Sequence, residues 1–225
     1  MTDEAIRALR EKRVEPKSGT VRSAVVFLHG YGADAADLIG LAAPLASHLP
    51  DTLFLAPDAP EPCRNNPMGR QWFPIPWLDG SPPGAAEAGL DRAAADLNAW
   101  LDIVTAREGL APGRVALFGF SQGTMMALHV ALRHREPFAC VVGFSGRLLR
   151  SERLAAEIAA RPPVLLVHGD ADQMVPFDDM ARAGRALDAA GVPVSGFVMR
   201  GTGHGIADDG LSAALGFLAD HLSGA

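Results

Sequence analysis

The segment Gly-Phe-Ser-Gln-Gly at residues 119–123 constrains the fold of this chain more than any other feature. It stands between a short apolar run, which predicts a strand, and a run with helical spacing. A serine at such a junction lies on a turn too tight for flanking side chains, which explains the glycine on each side. We expect this turn to present the Ser121 hydroxyl to solvent and to leave the Gln122 backbone N–H free to bind a developing negative charge.

The rest of the chain alternates apolar runs with helical patterns, which is typical of an α/β fold. We predict strands at residues 21–28, 52–56, 114–118, 138–144, 163–168 and 194–199. We predict helices at residues 36–49, 87–104, 122–134, 152–159, 178–190 and 211–222. Because the strands are apolar throughout, we expect a mostly parallel central sheet with helices on both faces. A ligand site is expected beyond the carboxyl ends of these strands.

Length, charge and cysteine content bound the class of protein. A chain of 225 residues suits one α/β domain, and we predict a charged N-terminal arm at 1–19, with a turn or two of helix, before a single domain at 20–225. The net charge of −6 argues against nucleic acid as a partner. The charged N-terminus and the lack of a long apolar stretch predict a cytoplasmic protein without stable membrane insertion. The oligomeric state is left open between a monomer and a homodimer. Cys63 and Cys140 fit no metal-binding spacing, and we expect Cys63 to be exposed.

Residues 57–84 form a long predicted loop of unusual composition. They include eight of the 17 prolines and two of the three tryptophans. A disordered linker would not carry so many large apolar side chains. A long loop in a compact domain is usually a lid or a binding loop, so we favour that interpretation over a structural loop packed on the core.

A serine hydroxyl becomes a good nucleophile only when a base takes its proton and a third group orients that base. Two predicted strands that follow Ser121 end in candidate partners, Asp170 and Asp172 after the first and His204 after the second. The order serine, aspartate, histidine is that of one architecture of serine hydrolases. Asp170 is the competing carboxylate, although it could instead fix its turn by accepting backbone N–H groups. Position alone gives Asp172 a modest preference.

An oxyanion site needs a second N–H beside that of Gln122. The segment His29-Gly30-Tyr31-Gly32 is the other glycine loop at the end of an early strand. We take the Tyr31 N–H as the candidate, because the glycines on both sides let the backbone approach a substrate closely. We expect His29 and His168 to make structural hydrogen bonds. No glycine loop carries the lysine of a phosphate-binding loop, and we expect neither a cofactor nor a metal.

Six ordered motifs resemble the phospholipase/carboxylesterase family of α/β-hydrolases, which also contains the acyl-protein thioesterases. The motifs are Leu-His-Gly-Tyr-Gly-Ala-Asp (28–34), Gly-Arg-Gln-Trp-Phe (69–73), Gly-Phe-Ser-Gln-Gly (119–123), Gly-Phe-Ser-Gly (143–146), His-Gly-Asp-Ala-Asp-Gln-Met-Val-Pro (168–176) and Gly-His-Gly (203–205). The resemblance implies an α/β-hydrolase fold without a separate cap domain. It implies hydrolysis of carboxylic esters or thioesters without a cofactor, with Asp172 as the acid. It also implies a backbone oxyanion donor at Tyr31, where the family usually has leucine, and it places Trp72 beside the active site.

We therefore expect a serine carboxylesterase that hydrolyses esters of small to medium acyl chains through an acyl-enzyme. Trp72, Phe73 and Met174 are the expected substrate contacts. An acyl-protein thioesterase or a lysophospholipase is the alternative, although the segment 76–84 departs from the shorter eukaryotic thioesterases. An alternative of another class is a non-catalytic, ligand-binding protein with the same fold.

Overall fold

The computed structural model describes residues 5–222, which fold around a seven-stranded sheet. The strands are β1 (Glu11–Val14), β2 (Ser23–Leu28), β3 (Thr52–Pro57), β4 (Glu61–Pro62), β5 (Arg70–Gln71), β6 (Val115–Phe120), β7 (Cys140–Phe144), β8 (Val164–Gly169) and β9 (Val194–Met199). The α-helices are α1 (Ala35–Ile39), α2 (Ala42–Leu45), α3 (Pro76–Asp79), α4 (Ala85–Glu108), α5 (Gln122–Arg133), α6 (Leu154–Glu157), α7 (Asp178–Ala189) and α8 (Asp208–Leu222). All six predicted strands are present. The predicted helix at 36–49 is instead two short helices, the first of which ends at Gly40.

The central sheet has the strand order β1-β3-β2-β6-β7-β8-β9. Strand β1 is antiparallel to β3, and every other neighbouring pair is parallel. Strands β2, β3, β7 and β8 are buried along their whole length, which accounts for their continuous apolar sequences. The prediction of a mostly parallel sheet is confirmed. Its carboxyl-terminal edge brings together the loops that follow β2, β6, β8 and β9.

Helices cover both faces of the sheet, as predicted. On one face, side chains such as Val26 and Leu117 pack with Leu97 of α4 and Leu128 of α5. On the other face, the helices α1, α2 and α8 enclose a second cluster that includes Phe27, Phe118 and Phe144. These three rings pack against one another, with centroids 5.1–5.2 Å apart in successive pairs. The two clusters fix the strands, and through them the positions of the strand ends.

The N-terminal arm is attached to the sheet rather than helical where the structure describes it. Residues Glu11–Val14 pair with β3, so the expected turn of helix is wrong for this segment. Three of the four side chains are exposed, and charged side chains on an edge strand discourage pairing with another molecule. Arg7 anchors the preceding segment by donating from its Nε to Asp96 Oδ2 at 2.8 Å. The predicted domain boundary between residues 19 and 20 stays a prediction. Strand β1 lies before this boundary and pairs with β3, which lies after it.

The loop at 57–84 is ordered by hydrogen bonds to the loop that follows β2. It contains the small hairpin of β4 and β5 and the short helix α3. The Arg70 N–H donates to Ala33 O at 2.8 Å, and Arg70 O accepts the Gly32 N–H at 2.9 Å. Cys63 is 4% exposed, so the expectation of an exposed thiol is wrong, because its Sγ lies against Gly32 in the loop that follows β2. The Phe73 carbonyl oxygen accepts a hydrogen bond from Gln122 Nε2 at 2.8 Å, which ties the next part of the loop to the start of α5.

Candidate active site

Ser121 lies on a strained turn between β6 and α5. Its φ of 54° is in the left-handed region, and its N–H donates to Phe144 O at 2.8 Å. A Cβ at Gly119 would collide with the backbone of Gly123, and one at Gly123 would collide with the carbonyl oxygen of Leu28. The turn therefore needs glycine at both positions, as the sequence predicts.

Ser121, His204 and Asp172 form a continuous chain of hydrogen bonds. Ser121 Oγ lies 3.0 Å from His204 Nε2, and His204 Nδ1 lies 2.7 Å from Asp172 Oδ2. Because a carboxylate only accepts, Nδ1 carries the proton and Nε2 is left to accept the serine hydroxyl. These three side chains follow the ends of β6, β8 and β9. The residues themselves are 32–83 positions apart in the sequence. The arrangement can remove a proton from the serine.

The Asp172 carboxylate is fully buried and accepts several hydrogen bonds. Its Oδ1 accepts the N–H groups of Met174 at 2.8 Å and Val175 at 2.9 Å. His168 Nε2 lies 3.3 Å from Oδ2 and 3.0 Å from the Val175 carbonyl oxygen. Burial acts to raise the pKa of Asp172, but the bonds from His204 and the two N–H groups outweigh it and hold the pKa below its usual value. Asp172 is therefore a carboxylate at neutral pH.

Asp170 lies on the same loop but serves the turn. Its Oδ1 accepts the Gly201 N–H at 2.6 Å, and its Oδ2 lies 3.4 Å from the Arg200 guanidinium. This is the role that the sequence leaves open for it. The structure brings Asp172, and not Asp170, to His204.

The loop of Gly30 and Tyr31 lies directly against Ser121. A Cβ on Gly30 would lie 3.4 Å from Ser121 Cβ and 3.2 Å from the Phe120 ring. The Gln122 N–H is the first of α5 and has no acceptor within its own helix. Among residues 5–222, neither this N–H nor that of Tyr31 donates to a protein acceptor. Two N–H groups that donate to no protein acceptor in this range therefore belong to residues that line the same cleft as Ser121.

An apolar cleft of about 350 Å³ opens above Ser121 and His204. Phe73 and Met174 line it, as expected. Its walls also include Ile75, Trp77 and Leu78, which lie in the predicted binding loop at 57–84, and Arg147 and Leu149, which sequence reasoning missed. Among the described residues that line the cleft, Arg147 alone has a permanent charge, and it pairs with Asp179 at 3.0 Å. Arg147 directly follows the Gly-Phe-Ser-Gly motif at the end of β7, so the strand-end rule is the signal that could have found it.

The family of this chain follows from comparison with known proteins. A model of the phospholipase/carboxylesterase family matches residues 9–222. The chain belongs to this family. It is 29% identical over 174 residues to a probable carboxylesterase of Oryza sativa subsp. japonica, a match that covers 74% of this chain and 64% of the rice protein. It is 28% identical over 213 residues to carboxylesterase SOBER1 of Arabidopsis thaliana, covering 90% of this chain and 92% of that protein.

A solved structure shows the same architecture. The structure of esterase PE8 is 43% identical, with a TM-score of 0.91, and the match covers 96% of this chain and 100% of that chain. The α/β-hydrolase fold expected from the motifs is therefore confirmed. Within residues 5–222, no group of three His, Cys, Asp or Glu side chains is placed to hold a metal ion. No helix of that part of the chain is long and apolar enough to cross a membrane.

Trp72 does not line the cleft, and the structure corrects its expected role as a substrate contact. The side chain is fully buried, and its indole N–H donates to His29 O at 3.0 Å. It packs behind the loop of Gly30 and Tyr31, where His29 O is its polar partner and the core cluster beside α4 is its apolar partner. Tyr31, where the family usually has leucine, lines the cleft, and its hydroxyl donates to Asp79 Oδ2 at 3.4 Å.

Proposed function

We propose that this chain is a serine carboxylesterase that hydrolyses carboxylic esters of small to medium acyl chains through an acyl-enzyme. The proposal rests on one observation, the hydrogen-bonded chain of Ser121, His204 and Asp172 at the floor of an apolar cleft. The carboxylesterase and esterase relatives of the same family support it.

In the first half of the reaction, His204 Nε2 takes the hydroxyl proton of Ser121 while Oγ attacks the acyl carbonyl carbon. The carbonyl oxygen becomes an anion, which the N–H groups of Tyr31 and Gln122 bind. The intermediate then collapses, and the bond to the leaving oxygen breaks. The leaving alcohol takes the proton from His204, and the acyl group stays on Ser121.

In the second half, a water molecule replaces the alcohol. His204 Nε2 takes a proton from this water, whose oxygen attacks the acyl-enzyme, and the same two N–H groups bind the second oxyanion. The carboxylic acid leaves when Ser121 Oγ regains its proton from His204. Asp172 keeps His204 in the productive tautomer and stabilises its charged form throughout. The cleft walls hold the acyl or alcohol part by contact with apolar side chains.

The test is Ser121→Ala with a p-nitrophenyl ester of a short acid. We expect turnover to fall by at least about 10⁴-fold, since the nucleophile is lost. We expect little change in melting temperature, because the hydrogen-bond partner of the Oγ within residues 5–222 is His204 alone. Retained turnover in the folded variant would contradict the proposal. Short-chain esters, long-chain acyl-thioesters and lysophospholipids, compared in one panel, separate the carboxylesterase from its enzymatic alternatives.

A cytoplasmic location, a monomeric or homodimeric state and catalysis without a cofactor complete the proposal. Cys63 and Cys140 are both unpaired, which suits a reducing compartment. Every proton transfer in the reaction uses His204, so the chemistry needs no further group. Size-exclusion chromatography with light scattering would decide between the monomer and the homodimer.

A further inference from the structure

The Gln122 side chain is a structural link and not part of the cleft surface that meets the substrate. It is 1% exposed, and both of its polar atoms are used. Its Oε1 accepts the Trp72 N–H at 2.9 Å, and its Nε2 donates to Phe73 O at 2.8 Å. The Gln122 side chain thus fastens the backbone of residues 72–73 to the start of α5. The backbone N–H of the same Gln122 is one of the two proposed oxyanion donors.

Trp72 extends this link to the other donor. Its backbone N–H is held by Gln122, and its indole N–H donates to His29 O at 3.0 Å. The indole also packs against the His29 imidazole, with ring centroids 5.6 Å apart. Since His29 immediately precedes Gly30 and Tyr31, Trp72 joins the serine turn to the loop that carries the second N–H.

The His29 ring fixes the peptide that carries this second N–H. Its Nε2 accepts the Ala59 N–H at 3.0 Å, so the proton lies on Nδ1, which donates to Gly30 O at 2.8 Å. The Gly30 carbonyl and the Tyr31 N–H belong to one planar peptide group, so a bond to one end orients the other. Burial lowers the pKa of His29 and keeps the ring neutral in this tautomer.

We propose that Trp72 and the Gln122 side chain are positioning residues that hold the two oxyanion donors at a fixed separation. The inference rests on the proposed function. Hydrogen bonds connect the donors without a gap, from Gln122 through Trp72 to His29 and the Gly30–Tyr31 peptide. Donors that are fixed in advance stabilise the transition state without reorganising. A misplacement of about 1 Å can cost about 10²-fold in rate.

A purely structural role makes a different prediction. Buried polar groups need partners in any loop, so a structural bond affects only the free energy of unfolding. A positioning bond affects the transition state, in which the oxygen is an anion, more than the ground state. Removing a positioning bond therefore lowers kcat and leaves KM nearly unchanged.

The experiment compares Trp72→Phe with Trp100→Phe. Both variants lose an indole hydrogen bond, since Trp100 Nε1 on α4 donates to Glu11 Oε2 on β1 at 3.0 Å in a partly buried contact. With p-nitrophenyl butyrate, we expect Trp72→Phe to lower kcat about tenfold or more and to leave KM within about twofold. Trp100→Phe should keep the kcat of the wild type. Equal kcat in the two variants would overturn the inference.

Two further measurements separate positioning from folding. The first uses an aryl trifluoromethyl ketone as a transition-state analogue. Ser121 Oγ adds to the carbonyl carbon of the ketone, His204 takes the hydroxyl proton, and the ketone oxygen becomes an oxyanion. Its inhibition constant should rise in Trp72→Phe by about the factor by which kcat falls. Gln122→Met, which keeps the backbone N–H, should lower kcat similarly, and the double variant should lose little more than either single variant. Losses that multiply in the double variant would contradict one continuous link.

The outcomes distinguish the inference from the proposed function. If the wild type does not turn over esters, both fail. If the wild type is active and Ser121→Ala is inactive, but Trp72→Phe and Gln122→Met keep full kcat, only the inference fails. Should Trp72→Phe not fold, Gln122→Met and its trifluoromethyl ketone inhibition constant decide the question.

Discussion

Trp72 and Trp77 lie five positions apart in one loop and occupy opposite environments. Trp72 is fully buried, and both of its N–H groups have oxygen acceptors. Trp77 is 72% exposed and stands on α3 at the wall of the cleft. The same loop therefore supports the reacting groups at one end and presents an apolar surface at the other. On our proposal, the buried end of the loop controls the rate and the exposed end selects the substrate.

The helix α3 that carries Trp77 is tied at its ends. The Asp79 carboxylate accepts the N–H groups of Ile75 and Ser81, both at 2.8 Å, and the Tyr31 hydroxyl at 3.4 Å. Burial acts to raise the pKa of Asp79, but these bonds outweigh it and hold the pKa low. Asp79 thus stays charged and holds the two ends of α3 through these hydrogen bonds. The side chains of Trp77 and Leu78 remain exposed at the wall of the cleft.

The largest effect on kcat is expected from a change among the hydrogen-bonded groups around Ser121, namely Asp172→Asn. An asparagine can donate to His204 Nδ1 and so favours the wrong tautomer, and we expect kcat to fall by about 10⁴-fold. Steady-state kinetics on a p-nitrophenyl ester provides the measurement.

Asp170→Asn is the matched control for this change. It alters a carboxylate two positions away whose partners, in the part of the chain that the structure describes, are Gly201 and Arg200. We expect its kcat to stay within about threefold of the wild type, since it does not touch the reacting groups. Equal losses in the two variants would remove the distinction between the catalytic and the turn aspartate.

A smaller effect, on kcat/KM, is expected at the exposed apolar end of the loop, from Trp77→Ala. An aromatic surface that covers part of the acyl chain contributes about 1.5 kcal/mol, so its removal should lower kcat/KM for p-nitrophenyl hexanoate about tenfold. The value for the acetate should change little, because that chain is too short to reach the wall.

Met68→Ala is the control for Trp77→Ala, because Met68 is 88% exposed in the same loop and lies outside the cleft. It should leave the chain-length profile unchanged. If Trp77→Ala also left the profile unchanged, the division of the loop into two functional ends would be wrong.

The features that sequence predicts well depend on local patterns. Apolar runs give the six strands, and the rule that sites lie at the carboxyl ends of parallel strands brings Ser121, Asp172 and His204 to one edge. Glycine at 119 and 123 is required by contacts within a single turn, so the turn is readable from five residues. The choice between Asp170 and Asp172 is not local, because it depends on which carboxylate meets a histidine on another strand.

The features that sequence misses depend on partners far along the chain. Trp72 is held by partners distant in sequence, namely Gln122, which is 50 positions later and accepts its backbone N–H, and His29, whose carbonyl oxygen accepts its indole N–H. Composition gives no signal of these contacts. Strand β1 carries a charged sequence that suits a solvated arm, and it forms a strand only because β3 offers an open edge. In both places the tertiary partner decides the structure, and the local propensity does not.

The most direct test of the proposed nucleophile is covalent labelling with a fluorophosphonate. Ser121 Oγ displaces fluoride from phosphorus, and peptide mass spectrometry then locates the adduct. We predict one phosphonyl group per chain, on Ser121, with loss of esterase turnover in proportion to the labelling. An unlabelled protein, an adduct on another residue, or turnover that survives complete labelling of Ser121 would contradict a serine esterase centred on this residue.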